Sequence, residues 1–138
     1  MTRVVKTLDQ RRAEFAWQAA TQGMARHTKT YKPLAKGAPF LIMGSGLMPT
    51  LAFLEGKGKG KGKDVAERVL REQIQEWLVE RLAARQCMQP PPQDYQALMH
   101  RLQQGTSTFY MEATDESLAI LKWIRQFVDA VDSGGSST

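Results

Sequence analysis

The chain has 138 residues, enough for one domain whose hydrophobic core needs neither a disulfide nor a metal. With the single cysteine Cys87 and only two histidines, His27 and His100, a disulfide framework and a zinc site are both excluded. The formal net charge is +5, but residues 1–63 carry 12 Lys/Arg and 3 Asp/Glu, whereas residues 64–138 carry 7 and 11. Such a basic half attracts polyanions, above all nucleic acid, unless it serves only solubility.

The start of the chain lacks the apolar segment of a secretory signal, so we expect a cytoplasmic protein. Residues 37–54 are uncharged and approach the length of a membrane span. Pro39 and Pro49, with the glycines between them, would break such a span into short pieces. We therefore predict that this segment is buried core and expect no contact with a membrane.

The first predicted helix runs from Leu8 to Arg26. Thr7 and Gln10 have the spacing of a capping box, in which each side chain satisfies a free backbone N–H at a helix start. The apolar residues cover about half of the helix circumference, which predicts packing on two sides. Arg12 falls inside this arc, so its guanidinium either extends to solvent or points at an anionic group near the bundle.

Short elements are predicted next. A helix at 31–36 would present Lys29, Lys32 and Lys36 on or near one exposed face. Pro39 suits the first turn of a second helix, 40–43, which the glycines at 44 and 46 would end. A third helix is predicted at 47–55. Residues 56–63 alternate glycine and lysine, which indicates a flexible loop.

The second half is predicted to hold three longer helices. The first, 64–86, has an opposite row of Glu72, Glu76 and Glu80 and an apolar side at three-and-four spacing, formed by Ala66, Leu70, Ile74, Trp77, Leu78 and Ala84. A Pro-rich connector, 88–93, leads to a helix that Asp94 caps and Gly105 ends. The last helix runs from Phe109 to Asp132, before a frayed tail at 133–138. No strand is predicted, so the fold class is all-α, a single-domain bundle of about five to six helices spanning 1–138.

Groups for catalysis are not assembled in the sequence. Cys87 has no histidine near it in the chain, and the glycines lack the context of a dinucleotide or P-loop site. Asp115 and Glu116 are adjacent, so on a helix they point about 100° apart. We therefore expect no catalytic residues, no metal and no cofactor, and an unrecognised nuclease remains the alternative.

The basic residues of the first half are the candidate nucleic-acid-binding residues. Lysine meets phosphates as a point charge, so binding should be largely independent of sequence. The candidates are Arg11, Arg12, Arg26, Lys29, Lys32, Lys36, Lys57, Lys59, Lys61 and Lys63.

Two ordered motifs carry a resemblance to a known family. The first is Tyr31, then Ala38-Pro39-Phe40-Leu41-Ile42, then Gly46-Leu47 and Thr50-Leu51-Ala52-Phe53-Leu54. The second is Tyr110, then Thr114-Asp115-Glu116-Ser117-Leu118 and Leu121-Lys122-Trp123-Ile124-Arg125-Gln126-Phe127. Both resemble the small subunit of Cmr-type (type III-B) CRISPR effector complexes. The chain departs from the family pattern at Ser45, at Met48-Pro49 and at Gln126.

The resemblance implies a helical subunit without catalytic activity that acts in antiviral defence. Copies would stack along the complex and hold guide and target RNA, while other Cmr subunits cut the target. Alternatives are the small subunit of a related type III-A or type I complex, and a purely structural adaptor without RNA contact.

The acidic row predicts an interface. Like charges four apart on a helix repel, so a basic surface docked against Glu72, Glu76 and Glu80 would relieve that cost. The basic half of another copy is such a surface, and this contact would be head-to-tail. A row of glutamates that only faces solvent is the alternative.

Overall fold

The computed structural model describes residues 5–61 and 64–135, with the side chains of all except 61 and 132–135. Within these ranges the chain forms five α-helices, one 3-10 turn and no strand, which confirms the all-α prediction. The helices are α1 (Leu8–Ser45), α2 (Leu47–Lys61), α3 (Ala66–Arg81), α4 (Tyr95–Gln104) and α5 (Ser107–Gly135), and the turn covers Gln86–Met88.

Helix α1 consists of two arms joined at His27, whose φ of −143° and ψ of 60° are not helical. We call residues 8–26 the first arm and residues 28–45 the second arm. The predicted capping box is present at the start, with Thr7 and Gln10 satisfying each other's backbone N–H groups. The predicted end of the first helix at Arg26 is therefore confirmed, one residue before the kink.

The close approach of the two arms depends on Gly23. A Cβ atom built there would lie 2.3–2.5 Å from three ring atoms of Tyr31, which is fully buried. The Tyr31 hydroxyl donates to Gln73 Oε1 at 2.7 Å, and Gln73 Nε2 donates to Ala19 O at 3.0 Å. These bonds hold both arms against α3.

The second arm corrects the prediction of separate helices at 31–36 and 40–43. It is one helix that continues through Pro33 and Pro39. Each proline removes a helical hydrogen bond, but Ala35, Ala38 and Ile42 are buried along one face, and such packing outweighs local propensity. The arm ends where predicted, because Gly46 has a φ of 98° that favours glycine.

Helix α2 corrects the prediction of a flexible loop at 56–63. The helix continues to Lys61, and residues 62 and 63 lie outside the described part of the chain. Buried Leu51 and Leu54 anchor it to the core. Gly58 allows it to approach α3 closely, since a Cβ there would lie 3.3 Å from Cβ of Arg68.

Helix α3 is shorter than the predicted 64–86, because turns and the 3-10 segment follow Arg81. Asp64 does not cap it; its carboxylate instead accepts from Arg26 at 2.6 Å and lies 2.9 Å from His27 Nε2. The predicted cap at Asp94 is confirmed by a bond from Ala97 N, and Gly105 ends α4.

Helix α5 continues to Gly135, so the tail predicted at 133–138 is wrong for 133–135; residues 136–138 lie outside the described part of the chain. Extending an existing helix costs far less than starting one, which accounts for the added turn.

One hydrophobic cluster, built around Trp77 and Leu78 of α3, is shared by all five helices. Within the described residues no helix is long and apolar enough to cross a membrane. The segment 37–54 is only partly core: Ile42, Leu47, Leu51 and Leu54 are buried, whereas Phe40, Met43 and Phe53 are exposed. Leu41 is exposed as well, so the prediction of buried core is wrong for these four side chains.

Candidate nucleic-acid interface

The second arm of α1 carries a row of lysines. Lys29, Lys32 and Lys36 are three and four residues apart, so they follow one face of the arm. The sequence has no Asp or Glu between Glu14 and Glu55. Lys29 is exposed, and the side chains of Lys32 and Lys36 are 29% and 38% exposed. The structure therefore brings the three predicted lysines together at the surface.

Asp129 of α5 is the carboxylate beside this row. Its Oδ1 lies 2.9 Å from Lys36 Nζ and 3.3 Å from Lys32 Nζ. The hydrogen bond from Lys36, followed by that from Lys32, holds the pKa of Asp129 below its ordinary value. One carboxylate thus offsets part of the charge of three lysines, and the row keeps a net positive charge.

The three candidate arginines all have carboxylate partners within the chain. Arg26 binds Asp64 at 2.6 Å, and Arg11 lies 4.0 Å from Glu80. The sequence left open whether the Arg12 guanidinium extends to solvent or points at an anionic group. In the structure it points at an anion inside the bundle. Arg12 is the only one of the three whose partner is buried, so it has a structural role, whereas the pairs of Arg11 and Arg26 are at the surface.

Glu116, 6% exposed, is the carboxylate that Arg12 reaches. Its Oε2 accepts from Arg12 Nη2 at 2.8 Å and from Arg81 Nε at 3.1 Å. Its Oε1 accepts from Trp77 Nε1 at 3.1 Å and from Arg12 Nε at 3.3 Å. Glu116 therefore ties α1, α3 and α5 together. Burial favours its neutral form, but the bonds from Arg12 and Trp77 outweigh this effect and lower the pKa of Glu116.

The lysines of α2 do not form one row. Lys57 and Lys59 are two residues apart on a helix, so they point in nearly opposite directions around it. Lys57 Nζ lies 5.6 Å from the centroid of the Phe53 ring, and Lys59 is exposed. The side chain of Lys61 and the whole of Lys63 lie outside the described part of the chain.

Sequence reasoning missed a contact between the second arm and α5. The guanidinium carbon of Arg125 lies 5.2 Å from the centroid of the Phe40 ring, which is 58% exposed. An uncharged run around Phe40 indicates core, which assigns its side chain to the interior. One sequence signal could have placed Phe40 at the surface: it follows Lys36 by four residues, and residues four apart share a helix face. This signal applies only if the helix continues through Pro39.

The acidic row on α3 forms one wall of an open cleft, whose other wall is the connector at 91–94. Glu72 lies 3.4 Å from Arg68 Nε, and Glu80 lies 4.0 Å from Arg11. Glu76 is the member whose pKa is raised, first by partial burial and then by the negative charges of Glu72 and Glu80. Partial burial and its two acidic neighbours thus both disfavour the charged form of Glu76.

A buried ion pair stands beside this cleft. Arg71, 4% exposed, places Nε 3.0 Å from Oε1 of Glu55 without the geometry of a hydrogen bond. Its Nη1 donates to Gln75, and its guanidinium carbon lies 5.9 Å from the Tyr95 ring centroid. These contacts join α2, α3 and α4, which makes Arg71 a structural residue.

Comparison with known protein families decides the identity of this bundle. The family described as CRISPR-associated protein (Cas_Cmr5) matches residues 8–131, which is all of the chain except its two ends. The chain belongs to this family. The match contains both motifs on which the resemblance rests, and it makes the chain a Cmr-type small subunit of the type III-B CRISPR complex, with other Cmr subunits as partners. A search of curated proteins finds no match.

The carboxylates considered for a nuclease site have different surroundings in this Cas_Cmr5 chain. Glu116 is buried and bound by two arginines and Trp77, whereas Asp115 is exposed. In the described ranges, 5–61 and 64–135, no three His, Cys, Asp or Glu side chains are grouped closely enough to hold a metal ion.

Proposed function

We propose that this Cas_Cmr5 chain is a non-catalytic, RNA-binding structural subunit of a cytoplasmic Cmr complex that acts in antiviral defence. Several copies stack head-to-tail and hold the guide and target RNA. The observation that carries the proposal is the row of surface lysines, one exposed and two partly exposed, on a second arm that contains no acidic residue. Lysines in this arrangement meet phosphates without reading bases, as a subunit that must accept any guide sequence requires.

The geometry of the row supports contact with a strand. From Lys29 to Lys36 the helix rises by roughly 10 Å, so the ammonium groups are spaced along a line rather than gathered at a point. Lys32 and Lys36 share Asp129, whose own side chain is about half exposed. A phosphate can therefore compete for these lysines at the surface, where ion pairs in water are weak.

The experiment is a titration of the purified chain with single-stranded RNA at several salt concentrations. Each phosphate neutralised should contribute about 0.7 to the slope of log affinity against log salt. Replacing Lys29, Lys32 and Lys36 by alanine should flatten the slope with little change in sequence preference. Replacing the same three by arginine keeps the charge and should keep the slope.

Asp129→Asn changes the same surface but should strengthen RNA binding, whereas the lysine-to-alanine variant should weaken it. It removes the carboxylate that competes for Lys32 and Lys36, so RNA should bind more tightly, most clearly at low salt. An alanine variant with an unchanged slope would show that these lysines do not contact RNA.

The absence of catalysis is tested with the same protein. We expect no RNA cleavage with magnesium or manganese. Cleavage that co-purifies with the chain and is lost in an Asp115→Ala variant would identify a nuclease instead.

A second candidate function is a structural adaptor without RNA contact. It is favoured by one observation: five of the eight candidate cations whose side chains the structure describes, Arg11, Arg12, Arg26, Lys32 and Lys36, already have carboxylate partners within the chain. An adaptor would still enter the complex, but the isolated chain would show no salt-dependent RNA binding.

A further inference from the structure

The lysine row of the second arm continues to an aromatic residue. Phe40 follows Lys36 by four residues, so Lys29, Lys32, Lys36 and Phe40 lie along one face in steps of three, four and four. The Phe40 side chain is 58% exposed although the arm is anchored by buried residues on both sides of it, Ala38 and Ile42. The fold therefore holds an apolar ring in water at a rigid position.

Arg125 of α5 stands against this ring. Its guanidinium carbon lies 5.2 Å from the ring centroid, within the range of a cation–π contact, and Arg125 is itself exposed. One turn further along α5 is Asp129, which binds Lys32 and Lys36. Phe40 and Arg125 therefore belong to the same strip of surface as the lysines, between the second arm and α5.

We propose that Phe40 and Arg125 form a base-stacking site for single-stranded RNA, placed at the end of the phosphate-binding lysine row. The proposal rests on the proposed RNA-binding function and adds to it a contact with a base. From Lys36 to Phe40 the helix rises by about 6 Å. A strand that places a phosphate at Lys36 can therefore bring a neighbouring base to the ring.

Charge favours RNA over a protein partner on this strip. Lys29, Lys32, Lys36 and Arg125 contribute four positive charges and Asp129 one negative charge, which leaves +3. Aromatic rings and guanidinium planes are the groups on which unpaired bases stack, and stacking tolerates any base because each has a π face. The site would thus hold a strand more firmly without selecting its sequence.

The competing occupant is a protein segment. Leu41 and Met43 are also exposed near Phe40, and an apolar partner could cover all three side chains. Stacking of a base and docking of an apolar partner require different side chains at position 40. A base needs an aromatic ring there, whereas an apolar partner accepts any side chain of similar size.

The test compares Phe40→Leu and Phe40→Trp with the wild-type chain, using oligoadenylate and the same ribose-phosphate strand without bases. Phe40→Leu should weaken binding of oligoadenylate by about 5- to 150-fold, the range that stacking of a base supplies, and Phe40→Trp should bind at least as tightly as wild type. On the strand without bases the three proteins should bind equally. Because the side chain is exposed, both variants should keep the wild-type helical circular dichroism.

The outcomes separate this site from the RNA-binding function itself. If wild type binds oligoadenylate with the expected salt slope and Phe40→Leu binds equally well, the stacking site is refuted and RNA binding stands. Equal weakening on both strands also refutes stacking. If Phe40→Leu leaves RNA binding unchanged but Phe40→Ala prevents entry into the complex, the strip is a protein-docking surface. Failure of wild type to bind RNA at all overturns the proposed function and the site with it.

Discussion

Replacing Glu116 by glutamine is the perturbation that tests the packing of the bundle most sharply. The two side chains have nearly the same shape, so no cavity is created. The carboxylate accepts four hydrogen bonds, two at each oxygen, from Arg12, Trp77 and Arg81. Glutamine can keep the two bonds at Oε1, from Trp77 and Arg12 Nε. Its amide nitrogen then replaces Oε2 and turns N–H donors toward the guanidinium groups of Arg12 and Arg81.

The expected cost follows from these contacts. Two bonds to charged groups are lost, each worth about 1.5–3 kcal/mol, and two arginines lose their counter-charge. Arg12 and Arg81 are 21% and 28% exposed, so water can partly replace the carboxylate. We therefore expect the free energy of unfolding to fall by about 2–4 kcal/mol.

The measurement is urea unfolding followed by far-UV circular dichroism and by tryptophan fluorescence. With a typical dependence on urea, the midpoint should move down by about 1–2 M. Glu112→Gln is the matched control: this residue lies one turn earlier on α5 and binds Arg85 at a more exposed site, so its cost should stay below about 1 kcal/mol. Equal midpoints for wild type and Glu116→Gln would refute the account of the buried carboxylate.

The free energy of unfolding should decrease at acidic pH. Because folding lowers the pKa of Glu116, the unfolded chain binds more protons in the acidic range, and stability falls as the pH drops from about 5 through the folded pKa. Glu112 and Asp129 have lowered pKa values as well, so wild type alone does not isolate Glu116. The difference in stability between wild type and Glu116→Gln should be full at neutral pH and shrink as the pH falls below about 5. A constant difference would contradict the assignment.

Two further predictions concern α2 and the acidic row. Gly56→Ala should raise stability by up to about 1 kcal/mol in thermal unfolding, because Gly56 lies inside a helix and an added Cβ meets no atom within 4 Å; no change would favour a loop at this position. Reversing Glu72, Glu76 and Glu80 to lysine should abolish low-salt self-association and the incorporation of neighbouring copies while the chain stays helical; normal copy number would mean that the row only faces solvent.

Local sequence signals predicted the element ends that depend on neighbouring residues. The capping box at Thr7, the cap at Asp94 and the stop at Gly105 are present because each needs only a few residues of chain. The apolar phase of α3 was also predicted correctly, since Leu70, Ile74 and Trp77 are buried. It failed at Ala84, which is exposed because the helix ends at Arg81.

Predictions failed where distant packing outweighs local preference. Pro33 and Pro39 favour breaks, yet the second arm stays helical because one of its faces is buried and it is bound to α3 through Tyr31 and to α5 through its lysines. The partner of Arg12 is 104 residues away in the chain, so the sequence could show that the arginine needed an anion but not which one. Phe40 was assigned to the core because an uncharged run does not reveal which of its residues faces outward.

Photo-crosslinking of the assembled complex, purified with its native RNA, tests the central claim most directly. Crosslinked peptides are identified by mass spectrometry, and the bound RNA is sequenced. We expect crosslinks between guide or target RNA and peptides of this chain that contain residues 29–40, and their loss when Lys29, Lys32 and Lys36 are replaced by alanine. A complex that contains this chain and the RNA but yields no crosslink to the second arm or to α5 would contradict the claim.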